Sequence, residues 1–406
     1  MECCGSSFGV FPGEPVGLHP LPMVFLASKG GEGEEAVVRD SVPKSTREAC
    51  RRILERGAEK VERLVREGPE VWPFYTEDGR WIRKGETWTE WCQGFLPGQL
   101  WILHDFTGDA FFREEAIVRC RALEGRAGDP DVHDHGFLFR SSWLKWFEHD
   151  GDPALERPVL EAGRTLAGRA RGGGRYLCSF LGDHSLFIDI MMNVGIVLYT
   201  ANRTNDEALG KTAVEHCRTT RRYLMRGDGS SLHEGIFDPE TGEFLRPSTQ
   251  QGWRPDSCWA RGQAWALHGF ADVYGLTGDP GMLAASQDAA DYFLQALGDR
   301  VIPPNDFDEP GDVPGDSSAA AIAAGGLLLL EDHLKGAGEG RYAREAWRIL
   351  EGLGSPEALA PSGPLPEGIL LHGIYHRRKG LGVDECTAWG DYFLLEAAWR
   401  VLKEGE

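Results

Sequence analysis

Apolar residues along this chain recur with a helical period, and polar turns of two kinds, short and long, interrupt them in alternation. At each short turn an apolar helix ends in an aromatic or a histidine. A Gly, Asp or Asn turn follows, and a second, amphipathic helix begins. Five stretches repeat the scheme: Leu103–Asp109, Trp146–Asp152, Leu198–Asp206, Val273–Asp279 and Leu330–Gly338. Gly or Asn terminates the first helix, and Asp or a neighbour caps the second. Long connections lie between these hairpins, at 70–92, 126–135, 172–185, 227–257, 298–316 and 354–385. Each leads into a segment rich in Ala, Gly, Leu and Ile, such as Ser317–Leu327, which its apolar surface assigns to the interior. The segments Arg113–Ala122, Asp206–Leu224 and Tyr342–Leu350 carry charge on one face and belong outside. Adding a helix near Thr46–Val65 and one closing the chain at Asp391–Lys403 predicts about twelve helices in six hairpins. No stretch reads as a parallel strand. The predicted fold class is all-α, an (α/α)6 barrel, with short turns on one rim and long, polar loops converging on the other. Residues 1–42, rich in Gly, Glu and Pro, are expected to be a loosely ordered leader, and 43–406 a single domain.

Composition narrows the function. With 406 residues, 41% hydrophobic and 26% charged, the chain can bury a sizeable core. A net charge of −20 argues against nucleic acid or a membrane surface as partner, although His376-Arg-Arg-Lys379 can reverse the field locally. The nine cysteines include no C-x-x-C pair, as expected of reduced thiols in a cytoplasm. An apolar patch at Val16–Ala27 is interrupted by Pro20 and Pro22 and has no basic residue before it. A secretory signal is therefore not expected, unless the start codon is misassigned, in which case the periplasm becomes an option.

The long loops hold the candidate chemistry. Trp259-Ala-Arg-Gly-Gln-Ala-Trp265 opens a helix with Trp259, Arg261, Gln263 and Trp265 inside two turns. A guanidinium between indoles suits an anionic ring: the fork pairs with a carboxylate and the rings stack. Two aspartates stand out. Asp134 lies between His133 and His135, and Asp189 lies among Phe187, Ile188, Ile190, Met191 and Met192. A carboxyl in such surroundings is either a backbone-bonded helix cap or a group whose raised pKa permits proton donation at neutral pH. Trp91, His233, Gln251, Tyr375 and His376 complete the expected mouth. His133-Asp-His135 has an H-x-H spacing, but no third ligand at metal-site spacing accompanies it, so no metal is expected. There is no G-x-S-x-G elbow and no phosphate-binding glycine loop.

Taken together, these segments resemble glycoside hydrolase family 88, the unsaturated glucuronyl hydrolases. They run in family order: His133-Asp-His-Gly-Phe137, the Asp189 segment through Asn193, Arg226-Gly-Asp-Gly-Ser-Ser-Leu-His233, Gln251-Gly252, Trp259–Trp265, Asp316-Ser-Ser-Ala319, Tyr375-His376 and Trp389-Gly-Asp-Tyr392. The resemblance covers residues 45 to 403 and implies the (α/α)6 barrel. It also implies a glycosidase that removes a 4,5-unsaturated uronic acid from the non-reducing end of lyase-generated oligosaccharides. In that chemistry the double bond is hydrated: C4 is protonated, water adds at C5, and the resulting hemiketal opens and expels the remaining sugar. The resemblance makes Asp189 the proton donor that also activates water, and Asp134 the second essential carboxylate. It makes His133, His233, Gln251, Trp259, Arg261, Trp265, Trp91, Tyr375 and His376 substrate contacts, with no cofactor. Three departures concern aglycone preference: Phe180 stands where the family carries an aromatic at a different local spacing, Gln250 stands where a histidine is common, and the leader has no family counterpart.

Three other readings compete. An unsaturated rhamnogalacturonyl hydrolase would share fold and chemistry on pectin fragments. A metal-free sugar 2-epimerase would use His133 and His233 as acid and base. A silent sugar-binding toroid would need no Asp189. The expected partner is an oligosaccharide, with no nucleic acid and no membrane, and the expected state is a monomer or weak homodimer.

Overall fold

The computed structural model describes residues 42–82, 87–334, 337 and 340–403, with the side chains of 87–89 left out. All but Val42 of the expected leader lies outside the described residues. Among the described residues the chain forms α1 (Lys44–Glu67), α2 (Phe95–Thr107), α3 (Ala110–Leu123), α4 (His135–Phe139), α5 (Trp143–Asp150), α6 (Pro153–Ala167) and α7 (Ile190–Asn193). It continues with α8 (Gly195–Thr204), α9 (Glu207–Leu224), α10 (Ala260–Thr277), α11 (Pro280–Leu297), α12 (Ser317–Leu334), α13 (Arg341–Leu353) and α14 (Ala388–Lys403).

Four of the five predicted short turns share one construction. A residue in the left-handed region ends the first helix: Gly108, Gly151, Asn205 or Gly278. The next residue is an aspartate whose carboxylate accepts a backbone N–H from the first turn of the following helix: Asp109 from Phe111, Asp152 from Ala154, Asp206 from Leu209, Asp279 from Gly281. Glycine has no Cβ to clash at positive φ, and asparagine tolerates it, so the sequence stops one helix and starts its antiparallel neighbour in two residues. The fifth turn falls largely on residues that are not described.

The hairpins close into an (α/α)6 barrel. The inner helices pack in succession, α8 on α10, α10 on α12, α12 on α14, and α14 closes the ring against α2. Burial follows: residues 257–271 at the start of α10 and 316–328 in α12 are buried on every face. In the outer helices α3, α9 and α13 one face alone is buried. No described helix is long and apolar enough to cross a membrane.

Short antiparallel strands qualify the all-α expectation. They lie in or beside the long connections: β1 (Thr76–Glu77) with β2 (Arg80–Trp81), β3 (Ala170–Arg171) with β4 (Tyr176–Leu177), then β5 (Ser185–Phe187), β6 (Glu234–Phe237) and β7 (Phe244–Ser248) in one sheet, and β8 (Gly373–His376) with β9 (Leu381–Glu385). In the three-stranded sheet β6 is central, with Phe187 opposite Glu234 and Glu234 opposite Ser248. These ladders satisfy the backbone of loops that rest on the barrel mouth.

Candidate active site

The two expected aspartates come together through a glycine and an asparagine. A Cβ at Gly136 would lie 2.6 Å from Asn193 Cα and 2.9 Å from its carbonyl oxygen. Only glycine therefore lets α4 rest directly on α7. Asn193 binds both elements. Its Oδ1 accepts from Phe137 N–H at 2.9 Å, while its Nδ2 donates to the Asp189 carbonyl at 3.2 Å and reaches Asp134 Oδ1 at 3.5 Å. Neither carboxylate caps the helix it precedes. Asp189 Oδ1 is buried with no hydrogen-bond partner among the described residues. The helix-cap reading of these two residues is thereby removed.

Both carboxyls are pushed toward the protonated form. Burial raises Asp189 to about 7, opposed by the Arg261 guanidinium and assisted by the Glu234 charge. Burial also holds Asp134 well above the ordinary carboxyl range, and the neighbouring Asp189 charge adds to it. Asp134 lies on the wall of a cavity of about 560 Å³ together with Trp91, Phe180, Val132, Arg126 and Arg169; Asp189 is not on that wall. His133 is buried and stacks on Phe180 at 5.6 Å with 6° between the rings. Its Nδ1 accepts from Phe180 N–H, which leaves Nε2 to carry the proton, 3.5 Å from Asp134 Oδ1. Desolvation keeps this imidazole neutral, well below its ordinary pKa.

His233 is set in the same manner. Its Nδ1 faces Thr249 Oγ1 at 2.9 Å and the N–H groups of Gln250 and Gln251 at 3.3 and 3.4 Å. Nε2 is therefore the N–H donor, and it is buried without a partner among the described residues. The ring lies 4.5 Å from Trp259 and 5.0 Å from Phe187. Trp259 Nε1 is likewise unpartnered. Asp189 Oδ1, His233 Nε2 and Trp259 Nε1 are thus an acceptor and two donors that no described residue engages.

Arg261 corrects the expectation of a fork open to a ligand carboxylate. Its Nη1 donates to Asp316 Oδ2 and to the Ile374 carbonyl, each at 2.5 Å. Its Nη2 donates to Gln251 Oε1 at 2.5 Å and to the Tyr375 carbonyl at 2.9 Å. The guanidinium is flanked by Trp259 at 4.4 Å and Trp389 at 5.2 Å. Asp316 accepts in turn from Ser318, whose hydroxyl also receives Trp389 Nε1–H at 3.0 Å. The motifs around residues 251, 261, 316, 375 and 389 are thus one hydrogen-bonded scaffold.

Other candidates move with it. Gln263 donates to the Gly229 and Ala289 carbonyls and accepts from Ser231 N–H, so it fastens the loop that delivers His233. Trp265 is 1% exposed between Phe137 and Phe393, a core residue and not a subsite wall. Trp259 is equally buried and forms the backing of His233 rather than an open stacking surface. Tyr375 is buried against Tyr75, stacked at 5.4 Å, and His376 is buried beside it on β8. Trp91, half-buried, and Gln251, half-buried, keep access to solvent.

Sequence reading gave no individual role to Asn193, Asp316, Trp389 or Glu234. The first three fall inside motif segments, which was the available signal. Glu234 has none beyond its place after His233. Among the described residues no group of three or more His, Cys, Asp or Glu side chains is arranged to hold a metal ion.

Comparison with known proteins agrees with this geometry. The sequence profile of Glycosyl Hydrolase Family 88 matches residues 75–300. An unsaturated glucuronyl hydrolase of Bacillus sp. (strain GL1) is 32% identical over 326 residues, 77% of this chain and 86% of that protein. An unsaturated chondroitin disaccharide hydrolase of Streptococcus pneumoniae is 32% identical over 330 residues, 78% of this chain and 83% of that protein. The crystal structure of the Bacillus sp. GL1 enzyme, described as responsible for degradation of glycosaminoglycan, superposes with a TM-score of 0.82 at 29% identity, covering 86% of this chain and 96% of that one. A glycosidase built on an (α/α)6 barrel, this chain belongs to glycoside hydrolase family 88.

Proposed function

We propose that the chain is an unsaturated glucuronyl hydrolase, releasing a 4,5-unsaturated glucuronic acid from the non-reducing end of an oligosaccharide by hydrating the C4=C5 bond. The observation that carries this reading is Asp189: a carboxyl with an unpartnered oxygen, raised to about 7, beside a second raised carboxyl. An acid with that pKa is half protonated near neutrality, so it can give a proton and then take one back.

In the proposed sequence Asp189 delivers its proton to C4, and positive charge develops at C5 and the ring oxygen. Water adds at C5 and returns a proton to Asp189. The hemiketal opens to a ketone at C5, and the hemiacetal left at C1 collapses and expels the aglycone with its oxygen. Asp134, steadied by Asn193 and His133, is proposed to hold ring hydroxyls and to favour the cationic transition state. His233 Nε2–H and Gln251 are proposed as contacts to the sugar's oxygens, and Trp91 as an apolar surface at the entrance. Arg261, Trp265 and Tyr375 hold these groups in place.

The epimerase alternative needs an imidazole base, and burial pushes His233 down to about 3 and His133 well below its ordinary value. Both are neutral and very weakly basic. The test is a paired time course on an unsaturated disaccharide, following ultraviolet absorbance of the double bond and release of the second sugar. Hydration predicts that absorbance loss precedes or accompanies release. Absorbance that lags behind release means direct glycosidic scission and contradicts the proposal.

A further inference from the structure

We propose that Glu234 is a positioning residue for the reaction, holding the loop that orients His233 and supplying the negative charge that faces Asp189 from β6. The inference rests on the reading of Asp189 as proton donor. Glu234 is 1% exposed. It has no ion-pair partner among the described residues, which is unusual for a buried carboxylate. Both of its oxygens accept: Oε1 from Ser185 Oγ at 2.6 Å and Oε2 from Gln250 Nε2 at 2.9 Å. Ser185 Oγ in turn receives Ser179 Oγ–H at 2.7 Å, so the donors run toward the carboxylate.

The placement joins the two halves of the site. Ser185 begins β5, the strand that ends two residues before Asp189, and Phe187 on that strand pairs with Glu234. Ile188 N–H donates to the His233 carbonyl, so β6 and the approach to Asp189 move as one piece. Gln250 belongs to the loop whose N–H groups fix the His233 tautomer. One carboxylate therefore ties the acid-bearing strand to the imidazole-orienting loop. The charged and titratable groups around Asp189 are Asp134 with His133 from the entrance of α4, His233 from the loop before β6, Glu234 from β6, and Arg261 from α10 with its partner Asp316. Arg261, although paired with Asp316, still opposes the rise of Asp189, and Glu234 is the charge on β6 that assists it.

The experiment compares pH profiles of kcat/KM for wild type, Glu234→Gln and Glu234→Asp, with Asp189→Asn assayed alongside and cooperative melting checked for each. Glu234→Gln removes the charge while keeping the side chain's shape. Its basic limb is expected to fall by roughly 0.5 to 1 pH unit, with activity about threefold lower near pH 7.5 and little changed below pH 5.5. Glu234→Asp keeps the charge and is expected to hold the limb at its wild-type position while raising KM. Should Glu234→Gln fail to fold, Gln250→Lys places a cation on the same carboxylate and is expected to move the limb in the same direction. A limb that stays in place in the folded Glu234→Gln or Gln250→Lys enzyme overturns the inference. Activity that survives Asp189→Asn overturns the proton-donor reading itself, so the two failures are distinct.

Discussion

Arg261 and Asp316 form an ion pair at 2.5 Å in which both side chains are almost wholly excluded from water. Pairing at this depth is sustained by the remaining donors and acceptors: two carbonyls and Gln251 on the guanidinium, Ser318 on the carboxylate. Removing one partner strands the other. Arg261→Ala is predicted to destabilise the fold by about 3–5 kcal/mol, because Asp316 is left buried and unpaired. Urea denaturation measures this. An unaltered midpoint with only KM raised would restore the direct carboxylate-binding role that the sequence suggested.

Gly136→Ala tests how the two aspartates are brought together. The added methyl group meets the Asn193 backbone at under 3 Å, so α4 must lift from α7. Overpacking of this kind destabilises by about 1–3 kcal/mol, and a displacement of even 1 Å lowers kcat by about 10²-fold. A variant with wild-type kcat would mean that the contact does not set the catalytic geometry.

His233→Ala removes a buried N–H donor whose ring is already neutral. The expected loss in kcat/KM is about 10- to 100-fold, the worth of one hydrogen bond in a dry site. The ring's pKa of about 3 keeps it from titrating near neutrality, so the shape of the pH profile should persist. A limb that disappears with His233 would assign it a proton-transfer role.

The fold was legible because its punctuation is local. Each short turn needs one residue that tolerates positive φ and one carboxylate that accepts a free N–H, and both show in a tetrad such as Leu276-Thr-Gly-Asp279. Asp189 was legible for a related reason, as a charge among apolar neighbours. The roles of Arg261, Gln263 and Trp265 were not, because an aromatic and polar cluster at a helix entrance looks alike whether it faces a ligand or binds loops. Only the acceptors on Arg261, drawn from residues 251, 316, 374 and 375, tell the two apart. The short strands escaped notice since two- to five-residue ladders carry too few alternations to register as a pattern.

The raised carboxyls contribute to stability with a definite sign in pH. Asp189 and Asp391 are raised to about 7 by burial, and Asp134 is raised as well. Between the ordinary carboxyl range and pH 7 the folded chain then binds more protons than the unfolded one, so their contribution is full below that range and is lost as pH rises through 7. The buried histidines, His216 and His233 among them, are lowered to about 3 and pull the other way below about pH 6.5, so the carboxyl contribution is read as the difference between wild type and a carboxyl variant in thermal melts from pH 8 down to about 5. Asp391→Asn removes the titrating carboxyl and keeps one of the two acceptors that Ile369 and Leu370 N–H use, so wild type should gain stability relative to this variant as pH falls from 8 to 5. A difference between the two proteins that stays constant over this interval would contradict the raised value of Asp391.

The central claim is that Asp189 supplies the proton that begins double-bond hydration. Asp189→Asn keeps size and shape but cannot donate that proton, and turnover, followed as ultraviolet absorbance loss, is predicted to drop by about 10²- to 10⁴-fold. Binding of the unsaturated disaccharide, measured by calorimetry, should remain within a few-fold of wild type. Turnover near the wild-type rate in that variant would contradict the account.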